Sequence, residues 1–170
     1  MYNVAILTVS DRCSRGERED SSGTIIREML TRIGLQVKDY AIVPDEKGII
    51  AGKLIYWADQ ERVDIIITTG GTGLSPRDVT PEATSIVIHR VIPGFAEAMR
   101  AKGLEKTPHA MLSREVCGTR NKTLIINLPG SPGAVRECLE TILPALPHAI
   151  ELIRGQVVDC AEAVKNEIVR

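Results

Sequence analysis

Short apolar segments alternate with amphipathic segments along most of the chain. The continuous apolar runs at 4–9 and 63–69 predict two buried strands of the kind found inside a parallel sheet. Between these runs, apolar residues recur at helical spacing and predict an amphipathic helix that ends at Gly34. The apolar face of this helix consists of Ile25, Ile26, Met29, Leu30 and Ile33.

The segment 35–45 alternates in part and predicts a strand that stops at Pro44. Asp45 then stands where a helix N-cap is expected, since aspartate oxygens accept hydrogen bonds from the first free backbone N–H groups. The helix that follows has an apolar face that includes Ile50, Leu54, Trp57 and Ala58.

The second half of the chain continues the alternation. Thr80 followed by Pro81 predicts a helix start with a capping hydroxyl, and 93–112 predicts one or two short helices. Residues 114–130 predict two strands joined by a turn at 118–121. Ser131 is expected to start another helix, and a last helix runs from about Pro147 to Gly155; the tail from Gln156 is weakly patterned.

Alternating strands and helices without a flexible linker predict one domain over residues 1–170. The expected fold is an α/β three-layer sandwich, with a mostly parallel sheet and helices on both faces. In such sheets ligands bind beyond the carboxyl ends of the strands, where the strand order reverses. The loops expected at that edge begin at Ser10, Pro44, Gly70 and Asn127.

The composition limits which binding partners and cellular locations are expected. The 170 residues carry a net charge of −1, so no global basic field would attract nucleic acid or an anionic membrane. No stretch approaches the roughly 18 apolar residues that span a bilayer, and the N-terminus lacks the basic residues of a signal peptide. The four cysteines are far apart in the sequence, so neither a disulfide framework nor a zinc site is expected. They are expected to be small core residues of a protein in the reducing cytoplasm. They are Cys13, Cys117, Cys138 and Cys160.

A cluster of glycines follows the second buried strand. Gly70, Gly71 and Gly73 can expose backbone N–H groups to an anion and let a ligand approach closely. The cluster lacks the Lys-Ser/Thr of a P-loop, and its spacing does not fit GxGxxG. A phosphate site and a simple tight turn both remain open on this pattern alone.

Two carboxylates favour the phosphate site. Asp78 follows the glycine cluster and Asp45 follows another strand, and either alone is compatible with an ordinary helix start. Together, at one sheet edge, they predict that one Mg²⁺ is held against the triphosphate of a nucleotide. Asp11, beside Ser10 and Arg12, is a third acidic candidate, and the arginine could clamp phosphate.

Other chemistry-bearing residues give weaker signals. The turn of Pro129, Gly130 and Ser131 leads into a helix N-terminus, which suits either an anion or an ordinary cap. Ser113 lacks the GxSxG context of a nucleophile and is expected at most to donate a hydrogen bond to a ligand. The three histidines have no neighbours at metal-ligand spacing, so packing or surface roles are expected.

Five motifs together resemble the molybdenum-cofactor biosynthesis family. The similarity is greatest to its molybdopterin adenylyltransferases: the bacterial MogA-like proteins, the plant Cnx G domains and the N-terminal domain of gephyrin. It extends to about residue 155. The motifs are TTGGTG…RDVTPEAT (68–84), VPDE (43–46), SDR…G…D.SG (10–23), MLSR (111–114) and NLPGSP (127–132).

The resemblance implies a reaction and a set of residues. The terminal phosphate of molybdopterin would attack the α-phosphate of ATP, releasing pyrophosphate, with Asp45 and Asp78 serving Mg²⁺ and catalysis. A homotrimer is implied as well, with possible handover of the product to a molybdenum-insertion protein. The resemblance assigns binding of the pterin or its phosphate to Thr69, Gly70, Gly71, Thr72, Gly73 and Ser113. The residue patterns add the other residues expected to bind the pterin or the nucleotide: Ser10, Asp11, Arg12, Pro129, Gly130 and Ser131.

Alternatives of other classes stay open at this point. A MoaB-like or non-catalytic molybdopterin-binding protein of the same fold would bind the pterin without using ATP. A general nucleotide-binding regulator would bind ATP and ignore the pterin.

Overall fold

A computed structural model describes residues 2–156 of the chain. One sheet contains six strands in this part, in the order β2-β1-β3-β6-β5-β4. The first three and β6 are mutually parallel, whereas β5 runs antiparallel between β4 and β6. The strands are β1 (Asn3–Val9), β2 (Gln36–Val43), β3 (Ile65–Thr69), β4 (Arg90–Val91), β5 (Cys117–Arg120) and β6 (Thr123–Leu128).

Helices connect the strands and cover both faces of the sheet. They are α1 (Asp11–Ser14), α2 (Ser21–Arg32), α3 (Lys47–Ile55), α4 (Thr80–Ser85), α5 (Pro93–Leu104), α6 (Pro132–Ile142) and α7 (Leu146–Arg154). A π-helical turn, Tyr56–Gln60, extends α3, and 3₁₀ turns occupy Pro108–Leu112 and Leu143–Ala145. In the described part of the chain, no helix is both long and apolar enough to cross a membrane.

Two apolar cores flank the sheet, because successive side chains of a strand point to opposite faces. Ile6 and Ile67 belong to the core under α2, α5, α6 and α7, whereas Leu7 and Ile66 belong to the core under α3 and α4. The three-layer α/β sandwich expected from the sequence is confirmed.

Most of the expected element ends are confirmed. Gly34 follows α2 with a φ of 79°, and Gly155 caps α7 with a φ of 71°, the left-handed conformation that glycine tolerates best. The Oγ of Ser131 accepts a hydrogen bond from Ala134 N and so caps α6. Residues 157–170, including Cys160 and nearly all of the weakly patterned tail, lie outside the described residues.

Two helix caps were assigned wrongly. The first residue of α3 is Lys47, and the carboxylate of Asp45 accepts a hydrogen bond from Asp11 N and caps no helix. Thr80 is already helical, and its hydroxyl donates to the carbonyl of Gly70 at 2.9 Å. Both side chains bond a distant loop, which a pattern of neighbouring residues does not reveal.

The turn between β5 and β6 is tighter than expected. It lies after Arg120, and Gly118 is inside β5 and not in the turn. A Cβ at Gly118 would lie 2.5 Å from the carbonyl oxygen of Arg90, so glycine is needed for the close pairing with β4. The strand β4 was missed because it has only two residues, both exposed.

Asn127 lies inside β6, not at the start of a loop, and its side chain is fully buried. Its Nδ2 donates to the hydroxyls of Thr68 and Thr84, each at 2.9 Å, and its Oδ1 accepts from Val116 N at 3.2 Å. This amide therefore joins the sheet to α4 and to the segment before β5.

Replacing Asn127 with leucine should destabilise the protein by about 2–4 kcal/mol, since the buried hydroxyls of Thr68 and Thr84 and the partly buried N–H of Val116 lose a hydrogen-bond partner. For a chain of this size, the melting temperature should fall by very roughly 5–15 °C. Differential scanning calorimetry measures the change. A loss below about 1 kcal/mol would contradict the assigned role of the amide.

Candidate active site

The strand order reverses between β1 and β3, because the chain leaves β1 for β2 on one side and returns to β3 on the other. Loops that diverge in this way leave a crevice at the carboxyl ends of the strands. A cavity of about 350 Å³ lies there. Eight of the predicted site residues line it: Ser10, Asp45, Thr69, Gly70, Gly71, Asp78, Gly130 and Ser131.

The loops after β1 and β2 are clasped by two aspartates. The Oδ2 of Asp45 accepts from Asp11 N at 2.9 Å, and the Oδ1 of Asp11 accepts from Asp45 N at 3.1 Å. Each carboxylate thus accepts a hydrogen bond from a backbone N–H of the other loop. Asp45 is thereby held at the cavity wall by a residue 34 positions away.

Arg77 ties the loop after β3 to this pair. Its guanidinium donates to both carboxylate oxygens of Asp11, at 2.9 and 3.0 Å, and to Glu46 at 3.1 Å. The hydrogen bonds from Arg77 lower the pKa of Asp11 and raise the pKa of the guanidinium. Because Arg77 is more than half exposed, these ion pairs add little stability and mainly orient the loops.

Asp45 lies in an electrostatically unfavourable place for a carboxylate. Burial raises its pKa, and the neighbouring charges of Asp11 and Asp78 raise it further, with only partial relief from the backbone of Asp11 and from Arg77. Partly desolvated carboxylates that repel each other are stabilised when a cation binds between them. A cation bound at this wall would relieve that repulsion.

The glycine cluster adopts a conformation that requires glycine. Gly70 and Gly71 have φ values of 93° and 65°. A Cβ at Gly70 would lie 2.2 Å from the carbonyl oxygen of Val9, and one at Gly71 would lie 2.4 Å from the hydroxyl of Thr80. Gly70 N donates to Leu128 O at 3.3 Å, and the turn that follows it can present backbone N–H groups to an anion. The lack of side chains also keeps this part of the cavity open.

Asp78 is placed by its own loop. Its Oδ2 accepts from Ser75 N at 2.9 Å and lies 2.8 Å from the position that a Cβ at Gly73 would occupy. The third glycine of the cluster therefore leaves space for the Asp78 carboxylate, which a side chain at this position would displace from the cavity wall.

The fourth loop places the N-terminus of α6 at the cavity. The hydroxyl of Thr69 donates to Pro129 O at 2.7 Å, and that of Ser22 donates to Gly130 O at 2.8 Å. These bonds fix the turn that leads to Ser131 and α6. A helix N-terminus carries a partial positive charge and suits a phosphate.

Two acidic residues on the cavity wall, Glu19 and Asp20, were not selected from the sequence. Asp20 lines the cavity and caps α2 by accepting from Gly23 N at 2.9 Å, while its other oxygen accepts from the hydroxyls of Thr8 and Tyr40. Burial and the bond to Asp20 raise the pKa of Tyr40 to about 12. Asp20 belongs to the motif SDR…G…D.SG, but no role was assigned to it from the sequence.

Some predicted site residues lie away from this cavity wall. Arg12 is exposed, and neither it nor Asp11, Thr72 or Gly73 lines the cavity. Ser113 and Pro129 line a second cavity of about 260 Å³. Ser131 is on the wall of both cavities, so the two spaces adjoin.

Two of the cysteines lie in the core, as expected. Cys117 and Cys138 are buried core residues, whereas Cys13 is half-buried at the wall of the first cavity, so its assignment to the core was wrong. Within residues 2–156, the His, Cys, Asp and Glu side chains form no group of three that could hold a metal.

Asp45 and Asp78 nevertheless fit Mg²⁺. This ion is bound in nucleotide sites by one or two carboxylates, with phosphate and water oxygens completing its shell. Two hard oxygen donors on one wall, with Asp45 destabilised by its negative neighbours, match that requirement.

A protein-family model described as "Probable molybdopterin binding domain" matches residues 5–148. The chain belongs to this molybdopterin-binding family. A family member from Helicobacter pylori, named molybdopterin adenylyltransferase, is 46% identical over 162 residues, which are 94% of this chain and 92% of the relative.

Two solved structures of the molybdopterin-binding family are similar in fold and sequence. The molybdopterin biosynthesis enzyme MoaB from Thermus thermophilus is 55% identical, with a TM-score of 0.86, and the match covers 91% of this chain and 98% of that one. The molybdopterin biosynthesis Mog protein from Mycobacterium ulcerans is 42% identical, with a TM-score of 0.84 and coverages of 90% and 99%. The resemblance seen in the sequence motifs is thus confirmed at the level of the family.

Proposed function

We propose that the protein is a molybdopterin adenylyltransferase, which transfers AMP from ATP to the terminal phosphate of molybdopterin and releases pyrophosphate. The observation that carries the proposal is the arrangement of Asp45 and Asp78 beside the glycine cluster on one cavity wall. That wall combines a cation site with an anion site. The relative named molybdopterin adenylyltransferase, similar over nearly its whole length, supports the same reading.

The residues of the chain would act mainly by positioning. The backbone from Gly71 onward and the N-terminus of α6 would hold the nucleophilic phosphate in line with the α-phosphate of ATP. An oxygen of the molybdopterin phosphate bonds to the α-phosphorus as the bond to the β-phosphate oxygen breaks, and pyrophosphate leaves with the electron pair. A phosphate nucleophile is already ionised at neutral pH, so the reaction needs no general base.

Asp45 and Asp78 would hold Mg²⁺ at the cavity wall. When bound there, the ion would neutralise charge on the α-phosphate and on the leaving pyrophosphate. Asp11 and Arg77 would keep the Asp45 carboxylate facing the cavity through the clasp of the two loops.

The second cavity would take the pterin. It adjoins the phosphate-binding cavity at Ser131 and contains Ser113, whose hydroxyl can donate to a ring nitrogen or carbonyl. Met99 and Ala110 provide apolar contact for a flat ring. Thr69, on the wall of the first cavity, would complete the contacts to the phosphate.

The quaternary structure is proposed to be a homotrimer. Several large apolar side chains are 63–66% exposed in the single chain and would be covered in an assembly, and light scattering tests this. These residues are Leu74, Ile86, Val91 and Met111. We further propose that residues 1–170 form a single domain that acts in the cytoplasm and hands its product to a molybdenum-insertion protein.

The test is direct. Purified protein with molybdopterin, ATP and Mg²⁺ should release pyrophosphate and form adenylylated molybdopterin, and omission of Mg²⁺ should stop the reaction. A folded sample that binds molybdopterin but releases no pyrophosphate would refute the proposal.

The second candidate is a MoaB-like or non-catalytic molybdopterin-binding protein. The structural similarity to MoaB from Thermus thermophilus favours it, since that fold matches over most of both chains. It predicts tight pterin binding and no ATP consumption. Calorimetric titration with ATP and molybdopterin, first separately and then together, distinguishes the two candidates.

A further inference from the structure

We infer that Arg114 is a positioning residue that holds the glycine loop and Asp78 in the geometry required for adenylyl transfer. The inference rests on the proposed function and assigns a role to a residue outside both cavity walls. The side chain of Arg114 is about one-third exposed. Its partners, in the loop after β3 and in α4, lie 32–41 positions earlier in the sequence.

The contacts of Arg114 lie along the whole loop. Its Nε donates to the carbonyl of Gly73 at 2.7 Å, and its Nη2 donates to the carbonyl of Asp78, also at 2.7 Å. Its backbone N–H donates to the carbonyl of Thr72 at 2.9 Å. The remaining Nη1 forms an ion pair with Glu82 in α4. One side chain thus joins both ends of the loop to the helix that follows it.

These contacts determine where the Asp78 carboxylate lies. The carboxylate is fixed within its loop by Ser75 N, so its position in the cavity depends on where the loop backbone lies. Arg114 fixes that backbone at Gly73 and Asp78. The planar guanidinium donates in several fixed directions at once, which the single ammonium group of lysine cannot reproduce.

The position of Arg114 in the chain also links the two cavities. Ser113 before it and the buried Glu115 after it both line the second cavity. A ligand that contacts this short segment therefore touches the same backbone that anchors the metal-binding loop. Binding in the second cavity and placement of Asp78 are expected to depend on each other.

Arg120 provides a matched control for a merely structural role. It forms two hydrogen bonds to Asp59, at 2.9 and 2.7 Å, and one to the carbonyl of Val87 at 2.9 Å. It is less exposed than Arg114 and lines neither cavity. A lysine in its place should cost comparable stability without affecting the site.

The experiment compares R114K with R120K. Binding of Mn²⁺ as a probe ion is measured by electron paramagnetic resonance with molybdopterin and a non-hydrolysable ATP analogue, alongside kcat and KM. For R114K we expect about 10-fold weaker Mn²⁺ binding, a kcat reduced about 10- to 100-fold, and a KM for molybdopterin within about threefold of wild type. R120K should keep wild-type values of all three.

Two results would overturn the inference: unchanged Mn²⁺ affinity and kcat in R114K, or equal losses in R120K. Absence of pyrophosphate release by the wild-type protein would instead refute the proposed function. If circular dichroism shows that R114K does not fold, E82Q decides. That variant keeps an acceptor oxygen but removes the charge that orients the guanidinium, so Mn²⁺ binding should weaken two- to fivefold, and an unchanged affinity would contradict the inference.

Discussion

Replacing Asp45 with asparagine should lower the rate of pyrophosphate release by about 100-fold or more, the range found when one group that stabilises transition-state charge is removed. The amide oxygen of asparagine can still accept the hydrogen bond from Asp11 N, so the clasp between the two loops is kept. What is lost is the negative charge that would hold Mg²⁺. Molybdopterin should still bind, with a Kd within about threefold of wild type, since the pterin is assigned to the second cavity.

The stability of the ligand-free D45N variant should move in the opposite direction from its activity. The ionised carboxylate is partly desolvated and repelled by Asp11 and Asp78, and the substitution relieves both effects. A rise in melting temperature of about 1–3 °C is expected, as is common when a destabilising functional group is removed. Calorimetry of the ligand-free protein measures it.

Asp78→Asn and Glu46→Gln complete this experiment. D78N should reduce turnover to a similar extent as D45N, because both carboxylates are assigned to one ion. Glu46 is also acidic, contacts Arg77 and is exposed, and E46Q should keep turnover within about threefold of wild type. If D45N and D78N both turn over at the wild-type rate, the cation site is assigned wrongly.

The fold could be predicted from the sequence because its main determinants are local. Apolar runs such as 63–69 and the amphipathic pattern of α2 depend on residues close together in the chain, and alternation of the two predicts a parallel sheet. The first cavity was then located by the glycine cluster and by the rule that ligands bind beyond the carboxyl ends of parallel strands. The two-residue strand β4 carried too little pattern to be found.

The internal arrangement of the site could not be predicted in the same way. Asp45 and Thr80 were both assigned as helix caps from their neighbours, yet each bonds a residue 10 or more positions away. Arg114 was only one basic residue in a short motif, since its partners lie 32–41 positions earlier. Which partners such side chains find is decided by how the loops meet in the folded sheet.

Substituting the glycines tests whether the cluster exists for a ligand or only for a turn. In G70A the new Cβ would lie 2.2 Å from the backbone oxygen of Val9, at a φ of 93°. Backbone cannot move aside as a side chain can, so β1 and β3 would have to separate. We expect a loss of about 3 kcal/mol or more, with little soluble folded protein. Chemical denaturation measures this loss.

Gly71→Ala is the more informative variant. Its Cβ would lie 2.4 Å from the hydroxyl of Thr80 and 3.0 Å from the Oδ1 of Asp45, both of which are side-chain atoms that can move. The variant should fold, at a cost of about 1–3 kcal/mol, but its methyl group fills the phosphate-binding part of the cavity. Turnover should fall at least 100-fold, as should the affinity for ATP and molybdopterin together.

Two control glycines separate the cost of a left-handed backbone from the effect of a methyl group in the ligand site. Gly16 has a φ of 72° and no atom within 4 Å of its Cβ position, so G16A isolates the cost of the left-handed conformation, about 1–2 kcal/mol. Gly52 lies in α3 with equally open surroundings, and G52A should stabilise the helix by up to about 1 kcal/mol. If G71A loses no more ligand affinity than G16A does, the cluster serves only as a turn. If G71A and G16A are similarly stable and only G71A loses ligand affinity, the glycine at this position is required by the ligand. A phosphate must then approach the backbone in the space that a side chain would fill.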